Sequence, residues 1–167
     1  MNDYTTAKVI GFDAIIATPD KENLASDAKF YDSIKNIDNM VSGFLPLYYP
    51  YKTKSKGINY DKKFKEKFAT NIKDNRLFKY PNNFLSISEY PQGYFNAVKN
   101  AGSISVTTKD DGYLRTVDQM IDYKGTLYPS LALRMYSYMN HNEGLQVNNR
   151  FITAENSKLK IPAYYTY

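Results

Sequence analysis

The spacing of apolar and polar positions near the N-terminus predicts a strand followed by a long amphipathic helix. The segment from Val9 to Ala17 is largely apolar and is typical of a strand. Thr18 can cap a helix whose first position is Pro19, since proline is tolerated where no backbone donor is needed. Apolar residues then recur every three or four positions. They are Leu24, Ala28, Tyr31, Ile34, Ile37 and Val41, and Gly43 is the predicted stop.

Two further helices are predicted downstream. Asp61 can cap a helix in which Phe64, Phe68 and Ile72 form a narrow apolar stripe. Pro129 can begin another helix, which ends near Gly144 and carries Leu131, Met135, Tyr138 and Met139 on one face. Both patterns have the periodicity of a helix with one buried side.

The remaining patterns predict short strands and extended loops. Ile104 and Val106 alternate with polar residues, and the turn signal at 109–112 makes 103–108 and 113–118 a predicted hairpin. Leu145 and Val147 predict a last strand. Stretches 44–56 and 80–96 lack periodicity. The predicted fold is therefore one α+β domain over 1–167, with about three helices, a small antiparallel sheet or hairpins, long Tyr/Pro-rich extended loops, and an extended C-terminal arm at 156–167.

Tyrosine is the most unusual feature of the composition, with 17 tyrosines against nine phenylalanines. An AT-rich genome would raise both aromatics, so it does not explain an excess of tyrosine. Four of the seven prolines directly follow a tyrosine, and proline favours extended backbone before it. Tyrosine is also enriched at protein interfaces. The aromatic loops are therefore predicted to contact a partner through Tyr48, Tyr49, Tyr51, Tyr80, Tyr90, Tyr94, Phe95, Tyr164, Tyr165 and Tyr167.

The net charge of +5 is concentrated in residues 52–79, which hold ten basic and three acidic side chains. Such a segment beside tyrosines can bind phosphates or an acidic protein. A solvated helix face and, more remotely, a membrane surface are the alternatives. The residues predicted to bind phosphate or an acidic partner are Lys52, Lys54, Lys56, Lys62, Lys63, Lys65 and Lys67.

Candidate catalytic residues are few. The chain has no cysteine, one histidine (His141) and no glycine-rich phosphate loop. Asp122 and Lys124, with Asp118 nearby, resemble in kind the acids and lysine of a small metal-dependent nuclease, although turn chemistry and surface solvation explain them better. The sequence therefore predicts no enzyme activity, no cofactor and no metal site.

These observations favour a non-enzymatic structural or interaction protein that packs its aromatic loops into a larger oligomeric assembly. A phage or viral virion component (capsid, connector or tail) fits the composition best. A nucleic-acid-binding accessory protein using residues 52–79 is the alternative, and a small nuclease or a host-factor inhibitor is a weaker one. The N-terminus lacks a signal-peptide pattern and no stretch is long and apolar enough to span a membrane. The expected location is the virion or the host cytoplasm.

Overall fold

A computed structural model describes residues 7–49, 60–74, 84–106, 112–113, 117–141, 144–148, 150–155 and 157–162. The helices of these residues are α1 (Leu24–Lys35), α2 (Tyr60–Phe68), α3 (Gln92–Ala97) and α4 (Leu131–Met139). Their strands are β1 (Ile10–Phe12), β2 (Met40–Phe44), β3 (Pro46–Leu47), β4 (Ile72–Asp74), β5 (Ser86–Ile87), β6 (Asn100–Ser103), β7 (Met120–Tyr123), β8 (Thr126–Pro129), β9 (Leu145–Val147), β10 (Phe151–Ala154) and β11 (Ile161–Pro162). The mixed α+β class predicted from the sequence is confirmed.

A small parallel sheet lies at the centre of the fold, with strand order β1-β2-β6. Helix α1 connects β1 to β2, which pair in parallel with Ile10 opposite Met40. Strand β6 pairs in parallel on the other side of β2. Sequence analysis predicted only antiparallel pairing. The difference arises because parallel strands are buried on both faces and therefore lack the alternation that marks an exposed strand.

Helix α4 packs directly against this sheet. Ser130 caps the helix by accepting a hydrogen bond from the Leu133 backbone N–H at 3.1 Å. A Cβ at Gly102 of β6 would lie only 2.6 Å from the Leu131 Cα. The close approach of helix and sheet therefore requires glycine at this position.

The other strands form smaller sheets around this centre. Strands β11, β10, β9 and β4 make a four-stranded sheet, and β3 pairs with β5. Strands β7 and β8 form an antiparallel hairpin whose turn is Lys124-Gly125. Within the described ranges, no helix is long and apolar enough to span a bilayer.

An aromatic core fills the space between the parallel sheet, α2 and α3. Phe44 from β2 contacts Phe64 of α2 with ring centroids 5.0 Å apart, and Phe64 contacts Phe68 at 4.9 Å. Tyr128 from β8 lies 5.6 Å from Phe64. These rings are almost fully buried. A second, smaller core is formed by Met120, Leu133, Leu145, Val147 and Ile152.

Several boundaries of the predicted helices are wrong. Helix α1 begins at Leu24 with Asn23 as its cap, not at Pro19 with Thr18, and α4 ends at Met139, before Gly144. Helix α1 ends at Lys35 instead of running to Val41, and Val41 and Gly43 lie in the buried strand β2. Ile72 likewise belongs to β4 and not to α2. Val41 and Ile72 lie in strands, but each is spaced from the preceding apolar residues as the next residue of a helix face would be.

Two further elements differ from the predictions. Part of the predicted 80–96 loop is the short helix α3, which buries Tyr94, Phe95 and Ala97. Helix α4 buries Leu133, Arg134 and Ser137, whereas its predicted apolar face is only partly covered and Met139 is exposed. Arg134 can be buried because its guanidinium group donates a hydrogen bond to Asn100 Oδ1 of β6 at 2.8 Å.

The predicted hairpin at 103–118 includes residues 107–111 and 114–116, which lie outside the described ranges. Its first residue, Ser103, ends the parallel strand β6. In the predicted C-terminal arm, Ile161 and Pro162 pair with β10 as strand β11. The single-domain boundary at 1–167 stays a prediction.

Candidate functional site

A cleft of about 380 Å³ opens between helix α2 and the β7–β8 hairpin. Its lining residues are Asp61, Lys62, Lys65, Tyr123, Lys124, Thr126 and Tyr128. The volume lies within the range of small-molecule sites, which hold roughly 300–1,000 Å³. Helix α2 contributes the residues of one wall, and the hairpin contributes those of the other.

Asp61 connects the two walls. The Tyr123 hydroxyl donates a hydrogen bond to Asp61 Oδ1 at 3.0 Å, and Lys124 Nζ contacts Asp61 Oδ2 at 2.5 Å. The hydrogen bond to Asp61 raises the pKa of Lys124. Burial, followed by the negative charge of Asp61, raises the pKa of Tyr123. Tyr123 therefore remains a neutral donor and Lys124 remains a cation at physiological pH.

The hairpin turn holds Lys124 in an unusual backbone conformation. Lys124 has φ 50° and Gly125 has φ 74°, so both central residues of the turn are left-handed. This matches the two-residue turn favoured in hairpins, in which asparagine or glycine is usual at the first position. A lysine there costs roughly 1–2 kcal/mol relative to ordinary backbone. The turn therefore places a charged side chain at the cleft despite a conformational penalty.

The lysines of α2 differ in their surroundings. Lys62 pairs with Glu66 at 3.9 Å, and both side chains are well exposed. Lys65 lines the cleft. In the part of the chain that the structure describes, no carboxylate pairs with Lys65. Lys63 is exposed and does not line the cleft. Of the described lysines predicted to bind an anion, Lys62 and Lys65 therefore lie in one cavity.

Lys67 is occupied by contacts within its own domain. Its ammonium group donates to the Phe95 carbonyl oxygen and, at 3.2 Å, to the Asn96 carbonyl oxygen. It also lies 4.9 Å from the centroid of the Phe95 ring. Burial lowers the pKa of Lys67. These contacts hold the end of α3 against α2, so in this structure Lys67 does not face an anion.

The predicted interface aromatics divide into two groups. Tyr48 and Tyr49 are 52% and 60% exposed, as a contact surface requires. Tyr90, Tyr94 and Phe95 are instead buried in the core. The Tyr90 hydroxyl donates to the Gly43 carbonyl oxygen at 2.7 Å, and Ser42 Oγ lies 2.9 Å from the Tyr94 hydroxyl. Because their polar tips have internal partners, these tyrosines pack inside the domain rather than against another molecule.

Several predicted residues lie outside the described ranges. They are Tyr51, Tyr80, Tyr164, Tyr165 and Tyr167 among the aromatics, and Lys52, Lys54 and Lys56 among the lysines.

The candidate catalytic residues take structural positions. Asp122 Oδ1 accepts a hydrogen bond from the Gly125 N–H at 2.8 Å, which supports the hairpin turn. His141 follows Asn140, the residue that caps the C-terminal end of α4. The backbone φ of His141 is 62°. Among the described residues, no group of three or more potential metal ligands comes together.

Sequence reasoning missed the hairpin wall of the cleft. The sequence predicted no site that contains Tyr123, Thr126 and Tyr128. It considered Lys124 only as part of a metal-dependent nuclease site. A partial signal existed in Gly125 between two apolar-rich runs, since glycine is usual at the second position of a two-residue hairpin turn. The proximity of this hairpin to α2, which is separated from it by more than 50 residues, has no signal in the sequence.

Comparison with known proteins gives one match. A family model described as the CHASE2 domain matches residues 3–166, which is nearly the whole chain. No curated protein and no solved structure matches the chain.

The match corrects the predicted function and location. CHASE2 domains are extracellular sensory domains of signalling proteins, so the prediction of a phage or virion structural protein is wrong. The predicted location in the virion or host cytoplasm is wrong for the same reason, because the family is periplasmic or extracellular. The composition misled because tyrosines that fill a core, and lysines that codon usage favours, raise the same residue counts as an assembly interface would. The match extends over 164 of the 167 residues, and the chain belongs to the CHASE2 domain family.

Proposed function

We propose that this chain is the ligand-sensing part of a signalling protein and that its ligand binds in the cleft between α2 and the β7–β8 hairpin. The family supports a sensory role outside the cell. The observation that carries the choice of site is the cleft itself, which combines two tyrosines of the hairpin with charged groups from two separate elements. Ligand sites typically place a few polar groups within a mainly apolar concavity.

The arrangement also offers a route by which binding affects the fold. Asp61 holds α2 to the hairpin through Tyr123 and Lys124. A ligand that enters between these walls competes with, or adds to, those contacts. A conformational response requires such a difference in interaction between the bound and free states.

The proposal is tested by a thermal-shift screen of a small-molecule library, using the wild-type chain and a Lys65→Gln/Lys124→Gln double variant. Compounds that bind in the cleft should stabilise the wild type and lose their effect on the double variant. Lys158→Gln, an exposed lysine outside the cleft, is the matched control. If the stabilising compounds act equally on all three proteins and do not perturb the cleft residues in nuclear magnetic resonance spectra, they bind elsewhere and the choice of site is wrong.

We also propose that the domain acts by binding and not by catalysis. The sensory character of the family supports this. A turnover assay on each ligand identified in the screen tests it, since chemical conversion of the ligand by the wild-type chain would contradict it.

We propose in addition that Tyr48 and Tyr49 form a contact with another protein molecule. Both rings are exposed beside β3, and Tyr48 packs on Phe84 at 4.8 Å. A Tyr48→Ser/Tyr49→Ser variant should shift any oligomeric species toward monomer in sedimentation experiments. An unchanged distribution would remove these two residues from the contact.

A further inference from the structure

We propose that the cleft between α2 and the β7–β8 hairpin binds a small ligand with one aromatic or comparably flat apolar group and an oxyanion, either a carboxylate or a phosphate. This inference rests on the proposed function and specifies its ligand class. Four observations support it. They are the charges of the lining residues, their hydrogen-bond partners, the backbone conformation of the hairpin turn, and the size and lining of the cleft.

The charge of the lining favours an anion. Three lysines, Lys62, Lys65 and Lys124, line the cleft together with a single acid, Asp61. Lys62 has Glu66 as a distant and exposed partner at 3.9 Å. The cleft therefore keeps an excess of positive charge, which raises the local concentration of anions and repels cations.

The hydrogen-bonding groups also favour an anion. Each Asp61 oxygen already accepts a donor, from Tyr123 at 3.0 Å and from Lys124 at 2.5 Å. A cationic ligand would therefore have to compete with Lys124 for the Asp61 carboxylate. Lys65 has no carboxylate partner within the described ranges, and an ammonium group can only donate. A ligand oxyanion would give the exposed Lys65 ammonium group a charged acceptor in place of water.

Backbone strain at the turn adds an independent argument. Lys124 occupies a left-handed conformation that asparagine or glycine would adopt at lower cost. Strain of this kind is retained mainly at functional positions. The pair of Lys124 with Asp61 is partly exposed and contributes little to stability, so stability alone does not account for a lysine at this position.

The tyrosine edges in the hairpin wall indicate the rest of the ligand. Tyr123 and Tyr128 line the cleft although their side chains are almost entirely buried, so each presents only an edge to it. Thr126 adds a small side chain with one hydroxyl group. A cavity of about 380 Å³ lies at the small end of the usual range for ligand sites, and it suits one ring with a charged substituent.

The test uses three single-ring probes of similar size: phenyl phosphate, benzoate and the neutral benzyl alcohol. Binding is measured by titration at low ionic strength, with nuclear magnetic resonance identifying the residues that respond. We expect at least one anion to perturb the cleft residues and to bind about tenfold or more tightly than benzyl alcohol, as charge-assisted hydrogen bonds imply. Preference for phenyl phosphate identifies a phosphate ligand, and preference for benzoate a carboxylate.

Variants distinguish binding of the anionic group by the lysines from binding in the cleft in general. Lys65→Gln and Lys124→Gln should each weaken binding of the anion by about tenfold. They should leave benzyl alcohol unaffected, and Lys158→Gln should change neither. Both lysines are exposed, so circular dichroism should show all variants folded. Equal binding of benzyl alcohol and the anions in the cleft would overturn the ligand class but leave the proposed site intact. Failure of both anions to perturb the cleft residues would also overturn the proposed ligand class. The library screen would then show independently whether the cleft binds ligands of another chemical class.

Discussion

Tyr123 and Lys124 are neighbours in the chain, yet both reach the same carboxylate on a distant helix. The Tyr123 hydroxyl lies 3.0 Å from Asp61 Oδ1, and Lys124 Nζ lies 2.5 Å from Asp61 Oδ2. Adjacent strand residues point to opposite faces, so this is geometrically unusual. It happens because the left-handed turn at Lys124 redirects its side chain. The turn thus converts two consecutive residues into a clamp across the cleft.

The turn allows a test that separates stability from binding. Lys124→Asn should change the free energy of unfolding by less than about 1 kcal/mol, since relief of backbone strain offsets loss of an exposed ion pair. Its affinity for the oxyanion probes should nevertheless fall about tenfold. Chemical denaturation and titration measure the two quantities. A loss of stability well above that range would show that the pair with Asp61 is structural.

Gly125→Ala is the matched control for the turn. Nothing lies within 4 Å of a Cβ placed on Gly125, whose φ is 74°. The substitution therefore tests backbone conformation alone, and it should lower stability by about 1 kcal/mol or slightly more. A neutral result would mean that the turn relaxes, and it would weaken the argument from strain at Lys124.

Two lysines of the same helix should behave differently on substitution. Lys67→Ala should lower the free energy of unfolding by about 1.5–3 kcal/mol, because it removes charge-assisted hydrogen bonds to the end of α3. Lys63→Ala should have an effect within about 0.5 kcal/mol, since Lys63 is exposed. Urea denaturation of both variants measures the difference. Equal effects would contradict the structural role of Lys67.

Phe64 should be the most sensitive position of the aromatic core. It contacts Phe44, Phe68 and Tyr128 with ring centroids between 4.9 and 5.6 Å, and it is fully buried. Phe64→Ala should cost about 3–5 kcal/mol, and Phe64→Leu distinctly less because it leaves a smaller cavity. Phe30→Ala, at a half-exposed ring, is the control. Thermal and chemical denaturation should rank the three variants in this order.

The buried tyrosines predict loss of stability at alkaline pH. Burial raises the pKa values of Tyr60, Tyr90 and Tyr128 far above that of free tyrosine. Above about pH 10 the unfolded chain releases these protons while the folded chain keeps them, so stability falls as pH rises. Each group contributes a slope of about 1.4 kcal/mol per pH unit.

Denaturation at a series of pH values, followed by tyrosinate absorbance, checks this slope. Tyr128→Phe should reduce the slope of stability against pH by about the contribution of one tyrosine, since unfolding then releases one proton fewer. An early, non-cooperative rise in tyrosinate absorbance, before unfolding, would show that the rings are not protected as the structure describes.

The sequence predicted much of the local structure correctly. Phe64 and Phe68, four residues apart, correctly identified the buried face of α2. Leu145 and Val147 correctly identified strand β9. These predictions succeeded because each pattern arises from one element that buries one face, and that periodicity is local to the chain. The parallel strands β2 and β6 were missed because burial on both sides removes the periodicity.

The sequence by itself determined the mixed α+β class, the basic character of α2 and the absence of thiol and histidine-rich chemistry, since these follow from composition and short-range spacing. Only the tertiary structure decided which lysines share a cavity, and that Tyr90, Tyr94 and Phe95 are core residues. Both depend on contacts between residues far apart in the chain. A tyrosine has the same identity whether its hydroxyl meets Ser42 inside the domain or water outside it, so the fold had to determine which surface each tyrosine occupies.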